Sequence, residues 1–105
     1  MTEQEIYNEA FAAAQEAEAK YRAQYGEPFY CGFAWVKVRP GNCKFAKFLK
    51  VNKIVSGPAY NGGVDVWNPG KSPTQSMDIK EVGAHAFAQV LVKHGINAFA
   101  QSRAD

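Results

Sequence analysis

Hydrophobic and polar positions along this chain follow two different periods, and the order in which those periods switch predicts an architecture. Residues 3–25 have helical spacing. Ile6, Tyr7, Ala10, Phe11, Ala13, Ala14, Ala17, Tyr21 and Tyr25 fill one broad arc, while Glu9, Glu16 and Lys20 face away. Thr2 with Glu5 forms a capping box at the start, and Gly26-Glu27-Pro28 ends the helix. Residues 32–39 alternate with a period of two: Gly32, Ala34, Val36 and Val38 point one way, and Phe33, Trp35, Lys37 and Arg39 the other. After a turn at Pro40-Gly41, residues 42–51 read as a short helix with Phe45, Phe48 and Leu49 inward. Ile54–Ala59 and Val64–Trp67 read as strands joined by a hairpin at Ala59-Tyr60-Asn61-Gly62-Gly63. A second long helix follows over about Thr74–His94, apolar on most of its faces. Ser72 is its expected cap, with Pro73 at the first position and Gln75 reaching back; Asp78 and Glu81 offer a rival start. Gly95 closes it in a left-handed conformation, with Ile96 as the hydrophobic contact. The last strand, 96–103, sets Ile96, Ala98, Ala100 and Ser102 against Asn97, Phe99, Gln101 and Arg103.

Strand, helix, strand, strand, helix, strand is the split βαβ order, so the expected fold is α+β and ferredoxin-like (βαββαβ) with an added N-terminal helix. The expected sheet is antiparallel in the order 4-1-3-2, with the first and third strands as a parallel central pair and both later helices on one face. The chain reads as one domain over 1–105, with an acidic amphipathic helix over 1–25 and a ferredoxin-like core over 30–105. The broad arc of the first helix has to lie on a surface, and two are open to it: the domain's own sheet, or a second subunit.

Composition narrows the class. The chain has 105 residues, 47% of them hydrophobic and 21% charged, enough for a single modest core. No run approaches the ~20 apolar residues of a membrane span. The polar start Thr2-Glu3-Gln4-Glu5 is unlike a secretory signal, which makes the cytoplasm the default location. Charge is uneven: residues 1–25 carry five acidic against two basic side chains, and residues 26–105 carry ten basic against five acidic. Cys31 and Cys43 lie beyond opposite ends of the first strand, roughly 25 Å apart. A disulfide needs Cα atoms within about 7 Å, so two free thiols acting as small buried hydrophobes are expected. Two cysteines and two histidines at these spacings make no zinc site, and the sequence implies no cofactor.

Chemistry is concentrated on one side of the expected sheet. Phe33, Trp35, Lys37, Arg39, Trp67, Phe99, Gln101 and Arg103, with Asp65, share the face opposite the helices. Aromatic rings interleaved with Lys and Arg on an open sheet suit single-stranded nucleic acid: bases stack on rings and phosphates meet cations. The competing reading is that the N-terminal helix lays its arc over those rings as a third layer. That covered face is the preferred expectation for the monomer. A second candidate is the basic stripe Lys44, Lys47 and Lys50 on the outer side of the short helix, a solvated face or a contact for an acidic partner. Gly70-Lys71-Ser72 resembles the end of a phosphate-binding loop, but Asp65 stands where its first glycine belongs. His85 reads as a surface partner of Glu81, and His94 as a helix C-terminal residue suited to the dipole. No Cys–His dyad or carboxylate pair is positioned for catalysis.

The segments Cys31-Gly32-Phe33-Ala34-Trp35-Val36, Gly62-Gly63 with Val66-Trp67, Gln75-Ser76-Met77, Ala86-Phe87-Ala88 with Leu91, and Gly95-Ile96-Asn97-Ala98 with Gln101-Ser102-Arg103-Ala104-Asp105 resemble, as a set, a family of small uncharacterised proteins encoded by tailed bacteriophages. The resemblance covers about residues 30–105. It implies a phage or prophage origin and expression in the cytoplasm of a bacterial host, and it carries over no site residue. It draws attention to four polar residues the core does not need. Gln75 and Ser76 are explained as caps; Arg103 and Asp105 are not. With the face covered, the leading reading is a non-enzymatic phage accessory protein that acts as a protein-interaction module, either self-associating or binding a host protein. The alternative is a single-stranded nucleic-acid binder using the aromatic and basic sheet face.

Overall fold

The computed structural model describes residues 1–27, 30–55, 62–71, 74 and 76–104. The elements are α1 (Glu3–Tyr25), β1 (Gly32–Arg39), α2 (Lys44–Val51), β2 (Val64–Trp67), α3 (Met77–Lys93) and β3 (Asn97–Ala104). They build an α+β fold with three helices and a three-stranded antiparallel sheet in the order β2-β1-β3.

This is not the full ferredoxin-like topology. The strand expected over 54–59 is absent at Ile54 and Val55, which lie in a bend after α2; positions 56–59 and most of the expected hairpin fall outside the described residues. The order of the remaining strands is the expected one, with β1 between β2 and β3. The expected parallel central pair is corrected: β1 and β2 run antiparallel, with Trp35 opposite Trp67, Val36 opposite Val66 and Val38 opposite Val64. β1 and β3 pair antiparallel over their whole length, from Gly32 opposite Ala104 to Arg39 opposite Asn97.

Local chemistry explains most of the boundaries. The Thr2 hydroxyl accepts from the Glu5 N–H, and the Glu5 carboxylate accepts from the Thr2 N–H, the reciprocal capping box. Those bonds from Thr2 also hold the Glu5 carboxyl below its usual range. Gly26, at φ +74°, donates its N–H to the Arg22 carbonyl and closes α1. α2 begins two residues later than expected because the Cys43 Sγ accepts from the Ala46 N–H and serves as its cap. α3 begins at Met77, after both Ser72 and Gln75, because the Ser76 hydroxyl accepts from the Ile79 N–H and Thr74 holds the Ser76 N–H. At the other end, Gly95 at φ +82° bonds back to Val92 while Ile96 bonds to Leu91, the expected Schellman closure.

Ala34, Val36, Val38, Val64 and Val66 form the buried helix-side face of the sheet, as their alternation predicts. Phe45 and Leu49 of α2 and Ala84, Phe87, Ala88 and Leu91 of α3 complete the core. α1 does not lie on the open face of the sheet. It packs along α3, burying Ile6, Ala10 and Ala14, with Tyr7 edge-on to Phe87 at 5.8 Å and tilted against Phe48 at 6.2 Å. Glu9, read from the wheel as facing away, accepts from Lys93 and, at 2.8 Å, pairs with His94, so α1 is also tied to the C-terminal end of α3. Those bonds, to Lys93 first and then His94, hold the Glu9 carboxyl below its ordinary range.

Both cysteines are free. The expectation that both are buried hydrophobes is corrected: Cys31 is exposed at the mouth of β1, and Cys43 is half-buried as a helix cap.

Candidate binding face

The register fixes where the open face lies. With Trp35 opposite Trp67 and Gln101, and Phe33 opposite Arg103, the odd-numbered residues of all three strands project from the side of the sheet away from α3. Trp35 and Trp67 are direct cross-strand neighbours with ring centroids 4.6 Å apart and planes tilted by 32°. Phe33 meets Trp67 edge-on at 6.4 Å, which extends the rings into a stripe from β1 to β2. Trp67 is 52% exposed and Phe33 37%. The Trp35 indole N–H donates to Gln101 Oε1 at 2.9 Å, which fixes the ring plane and orients the amide. Arg39 lies over the Phe99 ring at 5.3 Å, and Arg103 over Phe33 at 5.7 Å.

Trp35, Lys37, Arg39, Asp65, Trp67, Gln101 and Arg103 together line an open depression of about 380 Å³. The structure therefore brings the expected face residues together: Gln101, Arg103, Arg39 and Trp67 exposed, Trp35 and Phe99 half-buried.

Lys37 departs from its expected role as a phosphate-contacting cation. It is only 4% exposed, its ammonium is 3.1 Å from Asp65 Oδ1, and it donates to the Gly62 carbonyl at 3.2 Å. Lysine and aspartate sit opposite each other in the β1–β2 register, so the pair neutralises itself within the sheet. The charge the face presents to solvent is that of Arg39 and Arg103, neither of which forms a salt bridge with another described residue. A cation that sequence reasoning missed is Lys80 of α3, whose ammonium donates to the Gly32 carbonyl at 3.1 Å and lies 5.4 Å from the Phe33 ring. It reads as part of a helix from the sequence, and only the tertiary packing carries it to the end of the aromatic stripe.

The alternative basic stripe forms no comparable site. Lys44, Lys47 and Lys50 are exposed; Lys44 is 3.9 Å from Glu3, and Lys50 donates to the Gly41 carbonyl at 2.6 Å. Among the described residues, no three His, Cys, Asp or Glu side chains converge as metal ligands. No helix among them is long and apolar enough to cross a membrane.

A second residue missed from the sequence is Glu18. It is 3% exposed, its Oε2 has no hydrogen-bond partner, and it lies against Gly70 and Gly83, where a Cβ at either glycine would overlap the carboxyl group. Burial raises its pKa to about 7, against a smaller opposing pull from Arg22.

No family model, curated protein or solved structure matches the chain.

Proposed function

We propose that this protein is a non-enzymatic phage accessory protein that binds single-stranded nucleic acid on the open face of its sheet. The observation that carries the reading is that α1 packs on α3, leaving the Phe33–Trp67–Trp35 stripe accessible beside Arg39 and Arg103. An uncovered aromatic surface costs hydrophobic stabilisation, and a partner with planar apolar faces would recover it. Bases would stack on Trp67 and Phe33, while Arg39 and Arg103, at opposite ends of the face, would meet backbone phosphates. With the Lys37–Asp65 pair internally neutral and Lys80 buried, two exposed cations remain among the described residues of the face, which suits short, modest contacts without base-edge readout.

Fluorescence titration with short single-stranded oligonucleotides tests this. Binding should quench tryptophan emission. The log–log salt dependence should have a slope near −1.4, from about −0.7 per phosphate for two contacts. Trp67→Ala should weaken binding by about 1–3 kcal/mol, the range for one stacked base. Arg39→Gln and Arg103→Gln should each flatten the slope by about half, whereas Lys37→Ala should mainly lower stability by leaving Asp65 unpaired. Absence of quenching at low salt, or binding indifferent to Trp67→Ala and Arg103→Gln, would refute the assignment.

The protein-interaction module is the second reading. Exposed Trp and Arg together are also the composition of interface hot spots. Under that reading, Trp67→Ala and Arg103→Gln would abolish capture of a protein partner while oligonucleotides leave the fluorescence unchanged.

A further inference from the structure

We infer that the free edge of β3 is a self-association surface, on which a second copy of the chain adds its own β3 antiparallel to extend the sheet. The direction of the backbone groups follows from the register. The Asn68 N–H bonds the Ala34 carbonyl, so the even-numbered residues of β1 direct their peptide groups toward β2, and the odd-numbered ones direct theirs toward β3. Their partners Asn97, Phe99, Gln101 and Arg103 therefore make the β1–β3 ladder. The N–H and C=O groups of Ala98, Ala100, Ser102 and Ala104 point away from it, along the outer edge.

Among the described residues this edge carries little of the usual protection. Over its eight residues β3 contains no proline and no lysine, and its pairing with β1 runs without a bulge. Among the described residues no strand lies beyond it. Beside it runs an apolar groove of about 310 Å³ between α3 and the strand, with Ala88, Val92, Ala98 and Ala100 in its lining. Val92 is 56% exposed there.

A second copy fits this edge because the edge is complementary to itself. A two-fold axis normal to the sheet through Gln101 pairs Ala98 with Ala104 and Ala100 with Ser102 of the other copy, so every outward peptide group finds a partner. The same register lays Ser102 and Ala104, small and exposed on the helix side, into the groove over Ala98 and Ala100. On the open side it sets Gln101 against Gln101, and Arg103 against Phe99 of the other copy. Arg39 already lies over Phe99, and Arg103 over Phe33, within one chain. Arg103 is the strand's one charge, and it does not face its own copy. Shifting the axis to Ala100 would set Arg103 against Asn97 and leave the outward groups of Ala104 beyond the other strand's paired residues. The result is a continuous six-stranded sheet with both aromatic faces on one side.

Sedimentation of the full chain without nucleic acid, at micromolar to high micromolar concentration, tests the inference. The wild type should be dimeric. Ser102→Pro removes an outward N–H that the β1–β3 ladder does not use and should weaken dimerisation at least tenfold with unchanged circular dichroism. Independently, Gln101→Cys in a chain carrying Cys31→Ser and Cys43→Ser should oxidise to a covalent dimer, because directly opposed residues at non-hydrogen-bonded positions lie about 4.5 Å apart, within disulfide reach. Asn97→Cys in the same background should not. A wild type that stays monomeric, a dimer untouched by Ser102→Pro, or cross-linking at Asn97 in preference to Gln101 would overturn the inference.

Discussion

Glu18→Gln should make the protein more stable at pH 8 and change little at pH 4. The Glu18 carboxyl is enclosed by α1, Gly83 of α3 and the Asn68–Lys71 turn, and its Oε2 has no hydrogen-bond partner among the described residues. Its pKa stands at about 7 in the folded protein against 4.5 for an unperturbed glutamate. In this window the native state holds a proton that the unfolded chain has lost. The native state therefore binds more protons, and stability falls as pH rises from about 4.5 to 7. Below the unfolded value both states are protonated and no penalty remains. Above the folded value the whole penalty applies, roughly 3 kcal/mol at about 1.4 kcal/mol per pKa unit. Arg22 acts in the opposite direction and is too weak to cancel the burial. Urea unfolding at pH 4, 6 and 8 measures this directly. The wild type should lose stability toward alkaline pH, and Glu18→Gln should remove most of that loss. Parallel pH profiles in wild type and variant would show that Glu18 is solvated and the account wrong.

The same residue shows where the sequence stops being legible. Ile6, Ala10, Ala14 and Glu18 are spaced by four, the spacing of a single seam on a helix, and all four are buried. Hydrophobicity marks the first three and conceals the fourth. The pairing of Glu18 with Gly70 and Gly83 is between residues more than fifty positions apart and leaves no local trace. Elements whose signals are local were readable: β1 and β3 from their alternation, the Thr2–Glu5 box, and the Gly95 closure. The start of α3 was misplaced because three capping signals, at Ser72, Ser76 and Asp78, compete within seven residues. The helix takes Ser76, whose own N–H donates to the Thr74 hydroxyl.

The open face was legible residue by residue, since a two-residue period assigns side chains to faces without any knowledge of the partner strand. What sequence could not decide was which face α1 covers. The pattern points to the domain's own sheet or to a second subunit, whereas within the chain α1 lies on α3. α1 reaches α3 closely at Gly83, which leaves room for Glu18, and packs Tyr7 against Phe87 while its Ala10 and Ala14 are buried. Lys37 has the face its alternation predicts, but its pairing with Asp65 depends on the antiparallel β1–β2 register, which no local pattern encodes.

Removing residues 1–25 should abolish cooperative folding. α1 is not an appendage, because it supplies Ile6, Ala10 and Ala14 to the core and caps Phe87, which is fully buried, with the ring of Tyr7. Without it, the side of α3 that carries Gly83 and Phe87 would face water. Burying an Ile or an aromatic side chain contributes about 1.5–3 kcal/mol each, so the lost contacts with Ile6, Tyr7, Phe11 and the alanine seam sum to several kcal/mol. That is comparable with the whole stability of a domain of this size, about 5–15 kcal/mol. The truncated chain should aggregate, or should bind a hydrophobic dye and melt without a sharp transition. A milder variant separates packing from length: Tyr7→Ala keeps α1 and should destabilise by about 2–3 kcal/mol through the cavity left between Phe48 and Phe87. The truncation also deletes Glu18, so the pH dependence it confers on the wild type should be lost with α1. A truncated chain that melts cooperatively at the wild-type temperature would show that α1 is held on α3 too weakly to belong to the core. The open sheet face would then no longer follow from its docking there.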